Sequence, residues 1–338
     1  MDLNKILNGL KKPTNNINFN DNYQNIILSN LQNKYGNKFK ESLDLLNFNT
    51  STLIWDQQIN DPYELSPIFN QWSHLKGKIC YISDSRESLR LVSNAIANES
   101  RRYIYSIISE NTNSCELIKY FLNNTKKNTI HHNFLAEQQH LLSNYPDSVF
   151  SLRLGALKND LSSAFPYLFD SEFIILNVNA LKFCDAPAQD GINPSGLTSE
   201  EINQIAFMAG QSPINKYFIV YGLDNLDRDV NGVTFNAISQ LLWYYNLGAV
   251  EKRLIAPDDL AGHGHEFVIQ SSNLSENISF IKDILTGKWY HKLPFLVPGK
   301  YSHHQWIPST YEEYLKASDD NIPYRLLELY DVFRGLEA

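Results

Sequence analysis

The chain has 338 residues, of which 43% are hydrophobic and 20% are charged, and its formal net charge is -8. This length and composition suffice for one large α/β domain, with or without an appendage. The acidic balance and the lack of basic tracts argue against a nucleic-acid binder or a membrane-surface binder. The expected partners are small molecules, another protein or further copies of the chain.

The cysteines and the N-terminus indicate a reducing compartment. Cys80, Cys115 and Cys184 are widely spaced and form no C-x-x-C pair, which argues against a disulfide framework and against a structural zinc site. The first ten residues carry too short an apolar run for a signal peptide, and no stretch reaches the length of a membrane span. We therefore expect a cytoplasmic protein.

The first 72 residues differ in amino-acid composition and apolar pattern from the rest of the chain. They are rich in Asn, Gln and Lys, and "YQNIILSNLQNKYG" has helical spacing, so residues 1–72 are predicted to form a helical or irregular appendage. Residues 73–338 are predicted to form an α/β domain. It begins with a buried strand over residues 78–84, a helix over 85–100 with Ser85 as its cap, and a second strand over 101–109.

The same alternation continues along the second half of the chain. The predicted helices cover residues 116–125, 161–169, 198–210 and 231–248, and the predicted strands cover 149–155, 171–181, 216–223 and 265–272. Thr198 and Glu201 have capping-box spacing, and Gly210 is predicted to stop that helix. Residues 286–330 read as an irregular aromatic strap with a short helix over 309–317. Strands that alternate with helices predict a mainly parallel sheet.

Functional groups of parallel sheets gather where the strands end. The strand in "SEFIILNVNAL" ends in Asn177 and Asn179, and Asp185 follows shortly after. These three residues are therefore predicted to lie at the mouth of a site.

Residues from about 149 to 329 resemble the arginase (ureohydrolase) superfamily, and within it the formimidoylglutamase-like proteins. The resemblance is carried by "RLGALKNDL", "NVNALKFCDAP", "NPSGLTSEEINQIAFMAG", "LLWYY" and the tail "KWYHKLPF…IPSTYEEYLKA". It implies a three-layer α/β/α fold with a mainly parallel central sheet. It also implies two Mn2+ ions that activate a bridging hydroxide for attack on a guanidinium or formimino carbon.

Each metal-binding segment of that superfamily departs from its pattern in this chain. The Gly-Gly-x-His turn falls on residues 110–117, which contain no His, and the Asp-x-His-x-Asp segment has no counterpart. The paired aspartates become Asn177 and Asn179, which leaves Asp185, and a substrate-orienting glutamate falls on Gly222. Neutral amides cannot balance the four positive charges of two Mn2+ ions. We therefore expect a vestigial site without a metal cofactor or catalytic residues.

Other candidate sites carry weaker signals. A relocated metal site is conceivable from His131, His132, His263 and His265, the last two with H-x-H spacing, but such histidines are more often structural. His303 and His304 are expected to be packing or surface groups, since adjacent side chains point apart on an extended chain. Cys184 could be a nucleophile, although a buried small apolar role is commoner.

Three functions remain open at this point. The leading hypothesis is a pseudoenzyme that acts through protein contacts or self-association, using the appendage or the aromatic side chains of the strap. Those side chains are Trp289, Tyr290, Trp306, Tyr311 and Tyr314. The rival hypothesis is an active hydrolase that cleaves C–N bonds of linear amidines. The third is a binding module that holds a guanidinium-like ligand without cleaving it.

Overall fold

The computed structural model describes residues 25–31, 33–48, 52–56, 77–84, 86–111, 116–141, 149–251, 264–272 and 277–337. The predictions for Ser85, Cys115 and His263 lie outside the described residues. Within those residues, no helix is long and apolar enough to cross a bilayer.

Eight parallel strands form the central sheet, in the order β2-β1-β3-β8-β7-β4-β5-β6. The strands are β1 (Asn25–Asn30), β2 (Thr52–Asp56), β3 (Lys78–Ser83), β4 (Tyr103–Ile108), β5 (Thr129–Glu137), β6 (Val149–Arg153), β7 (Phe173–Asn177) and β8 (Tyr217–Tyr221). The helices are α1 (Asn33–Asp44), α2 (Arg86–Ala97), α3 (Glu116–Asn124), α4 (Leu154–Asn159), α5 (Phe165–Phe169), α6 (Ser199–Gln211), α7 (Val233–Val250), α8 (Tyr311–Ser318) and α9 (Tyr324–Arg334).

Helices cover both faces of this sheet. Side chains of α1, α6 and α7, such as Phe39, Ile202 and Leu241, pack on one face. Side chains of α2 and α3, such as Leu89 and Phe121, pack on the other. Successive strand residues alternate between these two apolar layers, as a pleated strand requires. The predicted α/β/α fold with a mainly parallel sheet is confirmed.

The prediction of a helical or irregular appendage is wrong for the described part of residues 1–72. β1 pairs in parallel with both β2 and β3, so residues 25–56 supply two strands at one edge of the central sheet. Ile27 and Leu28 are buried, one on each face. An apolar run as short as "IIL" fits a strand and a helix equally well by periodicity, and only pairing with β3 decides between them.

The helix α6 begins as predicted and ends later than predicted. Thr198 and Glu201 form the capping box, with both reciprocal hydrogen bonds present. Gly210 does not stop the helix, which continues to Gln211. A Cβ atom on Gly210 would lie 2.1 Å from the carbonyl oxygen of Tyr245, so this glycine allows α6 and α7 to approach closely.

Replacing Gly210 with Ala should therefore lower the free energy of unfolding by about 2 kcal/mol, because the added methyl group forces the two helices apart. The control is Gly155→Ala in α4, where a Cβ atom meets nothing within 4 Å. That variant should be neutral or slightly stabilised, since alanine has the higher helix propensity. Urea denaturation measures both, and equal stabilities for the two variants would contradict the role given to Gly210.

The predicted irregular strap is largely regular. β9 (Gly264–Ile269), β10 (Ile278–Asp283), β11 (Trp289–Lys292) and β12 (Trp306–Ser309) form a second, antiparallel sheet in the order β12-β11-β10-β9. The late strand expected over residues 265–272 exists, but it belongs to this sheet. Proline and polar residues within these short segments obscure the alternating pattern that predicts a strand. Antiparallel pairing with neighbouring strands stabilises them nevertheless.

The aromatic side chains proposed for a partner interface pack mostly within the chain. Trp289 is stacked on Tyr314 and tilted against Tyr311, and Tyr290 meets Phe165 edge-on. Trp289 and Tyr290 are buried, and Trp306 and Tyr314 are half-buried, whereas Tyr311 is 54% exposed. Among these five, Tyr311 offers the largest exposed fraction to a partner.

Candidate functional site

A cavity of about 650 Å³ lies at the carboxyl ends of the parallel strands. It is lined by Glu110 beyond β4, Gln138 beyond β5, Asn177 at the end of β7, Asn179 just after it, and Gly222 beyond β8. These strands are neighbours in the sheet, so their C-terminal residues converge on one place. The predicted position of Asn177 and Asn179 agrees with this arrangement.

The two asparagines donate hydrogen bonds to the Glu110 carboxylate. Asn177 Nδ2 donates to Glu110 Oε2 at 3.3 Å and to Ser109 Oγ at 3.3 Å, and Asn179 Nδ2 lies 3.4 Å from Glu110 Oε1. The oxygen of Asn177 accepts from the backbone N–H of Asn179, and the oxygen of Asn179 accepts from that of Asp190, both at 3.1 Å. Backbone N–H groups can only donate, so the amide oxygens face them and the NH2 groups face Glu110.

This donor set does not fit the two Mn2+ ions that the resemblance implies. Manganese takes carboxylate, imidazole and carbonyl oxygen ligands, but the oxygens of Asn177 and Asn179 already accept from backbone N–H groups. The NH2 groups of Asn177 and Asn179 point at Glu110, and an amide NH2 group is a hydrogen-bond donor that cannot serve as a metal ligand. In the described part of the chain, no group of three His, Cys, Asp or Glu ligand atoms converges at this cavity.

Asp185 lies away from this network and does not line the cavity. Its Oδ1 accepts from the Ser199 hydroxyl at 2.7 Å and from the Ser199 backbone N–H at 3.3 Å. It therefore stabilises the first turn of α6. Cys184 is exposed and donates to Asp185 at 3.3 Å, so the expectation of a buried small apolar group is wrong. Both residues lie in the turn that follows β7, away from the cavity lining.

Gly222 occupies the position where the resemblance places a substrate-orienting glutamate. Its φ angle is 89°, in the left-handed region that favours glycine. A Cβ atom there would lie 2.3 Å from Asn177 Oδ1. The position and orientation of Asn177 are therefore compatible with glycine and incompatible with a glutamate at position 222.

Within the part of the chain that the structure describes, the histidines weighed as a relocated metal site do not come together. His131 and His132 are adjacent on β5 and contact different aromatic rings, His131 the edge of Phe150 and His132 the face of Tyr105. Burial lowers the pKa of His131 well below its usual value and the pKa of His132 to about 4. His265 is exposed on β9 of the second sheet. Both β5 histidines are thus neutral core residues.

Acidic side chains outnumber basic ones around the cavity. Glu87, Glu110, Glu116, Asp190 and Asp224 line it, together with Arg90 and His140. Arg90 forms an ion pair with Glu87 at 2.9 Å. The cavity therefore favours cations over anions. Sequence reasoning missed Glu110, although an acidic residue that directly follows a buried strand was an available signal.

No protein-family model matches the chain, and no curated protein matches it by sequence. Similar solved structures include a variant of formiminoglutamase from Trypanosoma cruzi with Mn2+, at a TM-score of 0.58 and 12% identity, over 70% of this chain and 96% of that chain. Formimidoylglutamase from Bacillus subtilis has a TM-score of 0.55 and 12% identity, over 68% and 88%. Agmatine ureohydrolase of Thermoplasma volcanium has a TM-score of 0.54 and 10% identity, over 70% and 94%. These likenesses show that the chain has the ureohydrolase fold.

Proposed function

Starting from the ureohydrolase fold, we propose that this chain is a pseudoenzyme. It does not hydrolyse linear amidines, and its carboxyl-end cavity binds a small organic cation such as an amine or an amidinium. The arrangement of Asn177, Asn179 and Glu110 is the observation that carries this proposal.

The lack of hydrolytic activity in this proposal is argued from that arrangement. Hydrolysis in this fold requires a metal-activated hydroxide, and the resemblance assigns the metal to paired carboxylates at the end of β7. Here that strand ends in Asn177 and Asn179, whose NH2 groups surround one carboxylate. The network stabilises the Glu110 carboxylate by hydrogen bonds, and the single negative charge of Glu110 does not match the four positive charges of two Mn2+ ions.

Ligand binding is supported by the size and charge of the cavity. A volume of about 650 Å³ lies within the range of small-molecule sites. Glu110 is only 7% exposed but reaches the cavity wall, where a cationic group can contact it. Asp190 and Asp224 add negative charge nearby. An amidinium can donate two parallel hydrogen bonds to a carboxylate, which makes it a suitable ligand class.

Binding can be measured by thermal shift and calorimetry with agmatine, arginine and formiminoglutamate. Agmatine should bind most tightly and formiminoglutamate most weakly, because each added carboxylate is repelled by the acidic cavity. Glu110→Gln should weaken agmatine binding about tenfold or more, since it removes a charged hydrogen-bond acceptor. Glu312→Gln is the control, because Glu312 is an exposed acid on α8 that is paired with Lys316. Equal agmatine affinity in both variants, or no stabilisation at millimolar agmatine, would contradict the proposal.

A hydrolysis assay addresses the rival function. The expected result is no release of urea, ammonia or formamide from the same compounds with added Mn2+. Two tightly bound Mn2+ ions per chain, together with turnover that Glu110→Gln abolishes, would establish an active hydrolase instead.

Action through protein contacts or self-association remains a prediction. Tyr311 and Tyr324 are the strap-region tyrosines with the largest exposed fractions among the described residues, at 54% and 72%. Sedimentation velocity at several concentrations, with and without agmatine, tests whether the chain associates and whether the ligand changes its association.

A further inference from the structure

A second polar cluster lies at the amino end of the parallel sheet, opposite the candidate cavity. Glu172 immediately precedes β7, and its Oε2 accepts from the backbone N–H of Ile104 at 2.9 Å. His303 and His304 end the 3-10 helix Gly299–His304. That helix brings both rings toward Glu172, with ring centroids 4.0 Å apart. The expectation that the two side chains point apart is wrong, because it assumed an extended chain.

The two distances from the histidines to Glu172 match those around a tetrahedral metal ion. Nε2 of His303 and Nε2 of His304 each lie 3.4 Å from Glu172 Oε1, and one ligand atom from each of the three residues lies within 4.8 Å of the others. Bonds of about 2.0–2.1 Å at a tetrahedral angle place two ligand atoms about 3.3–3.4 Å apart. Two imidazoles and one carboxylate form a ligand set that suits Zn2+.

His304 is held in the orientation that metal-binding histidines adopt. Its Nδ1 lies 2.7 Å from Asp170 Oδ1, and both side chains are buried. Its Nε2 is buried and lies 3.4 Å from Glu172 Oε1. A carboxylate behind a ligating imidazole fixes the ring and its tautomer in metal sites. Asp170 is the carboxylate in this position behind His304.

The Arg101 guanidinium lies where it would compete with a metal ion for His303 and Glu172. Its NH2 group lies 3.1 Å from His303 Nε2 and 3.4 Å from Glu172 Oε1. In the metal-free chain, the Arg101 guanidinium places a positive charge beside Glu172. A divalent cation bound by Glu172 and His303 would have to displace this guanidinium. Arg101 is about one-third exposed, so its side chain has room to leave.

A cavity of about 250 Å³ opens beside the cluster and is lined by Glu172, His303, Arg101 and Lys216, among others. It gives a water molecule access to a fourth coordination position. Three protein ligands with one exchangeable position are the arrangement of reactive zinc sites, whereas structural sites are closed.

We propose that Glu172, His303 and His304 form a binding site for Zn2+ or a similar divalent cation, with Asp170 orienting His304 and Arg101 competing with the metal. This site is independent of the carboxyl-end cavity and of the function proposed for it.

The test is a zinc titration of the full chain by calorimetry after chelator treatment, repeated with Co2+ to record its visible absorption. One Zn2+ per chain is expected, and Co2+ should show the intense absorption of a tetrahedral site. Asp170→Asn should weaken binding about 10- to 100-fold, as expected for a partner behind a ligand. His303→Ala should weaken binding more than that, and it is expected to fold because His303 is half-buried.

Arg101→Gln separates a metal site from a purely structural ion-pair network. It should tighten zinc binding by about tenfold or more, because a competing cation is removed. Arg102→Gln is the matched control, since it changes the net charge equally at an exposed neighbouring position and should leave the affinity unchanged. Glu110→Gln, at the other end of the sheet, should also leave it unchanged.

The proposal is overturned if neither the unmodified chain nor Arg101→Gln binds one Zn2+, or if His303→Ala binds it as tightly as the unmodified chain. Weaker zinc binding in Arg101→Gln would also overturn it, because the network would then act only as an ion-pair lock between the 3-10 helix and the sheet.

Discussion

Changing Asn177 or Asn179 to Asp is expected to destabilise the metal-free protein by about 3 kcal/mol for each single substitution at neutral pH. Each change replaces an NH2 donor by an anionic oxygen 3.3–3.4 Å from the Glu110 carboxylate. The double variant Asn177→Asp/Asn179→Asp should be the least stable. It should also acquire affinity for Mn2+, because three carboxylates then converge at one point. With a Kd of about 10 µM, 1 mM Mn2+ would restore about 2.7 kcal/mol.

Urea denaturation with and without Mn2+ measures this effect. Asn133→Asp is the matched control, since Asn133 is as buried as Asn177 but its NH2 group donates to hydroxyl and carbonyl oxygens. It should be destabilised without recovery in Mn2+. If the double variant is as stable as the unmodified chain in chelator, the charge argument for the loss of the metal site is wrong.

Acidification from pH 6.5 to pH 5 is expected to lower the free energy of unfolding by about 3 kcal/mol through the titration of His132 and His291 alone. Burial lowers the pKa of His132 to about 4 and that of His291 to about 3. Both imidazoles are therefore neutral in the folded chain throughout this range. In the unfolded chain they bind protons below their usual pKa of about 6.5. Their contribution to stability is thus fully present above pH 6.5 and is lost as the pH falls.

The contacts of these two histidines suggest a variant that tests the prediction. His132 stacks on Tyr105, and His291 pairs with the Tyr330 hydroxyl within reach of the charges of Glu313 and Arg325. His132→Phe keeps an aromatic ring on Tyr105 and removes the titration. Urea denaturation at both pH values should show a pH effect that is smaller by about 1.5 kcal/mol in this variant. An unchanged pH effect would exclude His132 as its source.

Much of the fold could be predicted because the local pattern of apolar residues indicates where strands and helices lie. The strands around residues 78–84, 101–109, 171–181 and 216–223 are short apolar runs between helices with clear periodicity. β5 was missed, since His131, His132 and Asn133 interrupt its apolar run, yet all three are buried between β4 and β6. Burial of polar side chains in a central strand depends on partners from elsewhere in the chain, and no local pattern reveals them.

The sequence by itself determined that the acids expected at the end of β7 are amides, and that a glycine replaces the glutamate expected beyond β8. Tertiary structure alone decided what those amides do, because Asn177 meets Glu110 across 67 residues of chain. The same holds at the other end of the sheet, where His303 meets Glu172 across 131 residues. Parallel strands bring residues from distant parts of the chain to a common edge, and the identity of the neighbours there depends on strand order, which is a property of the whole sheet.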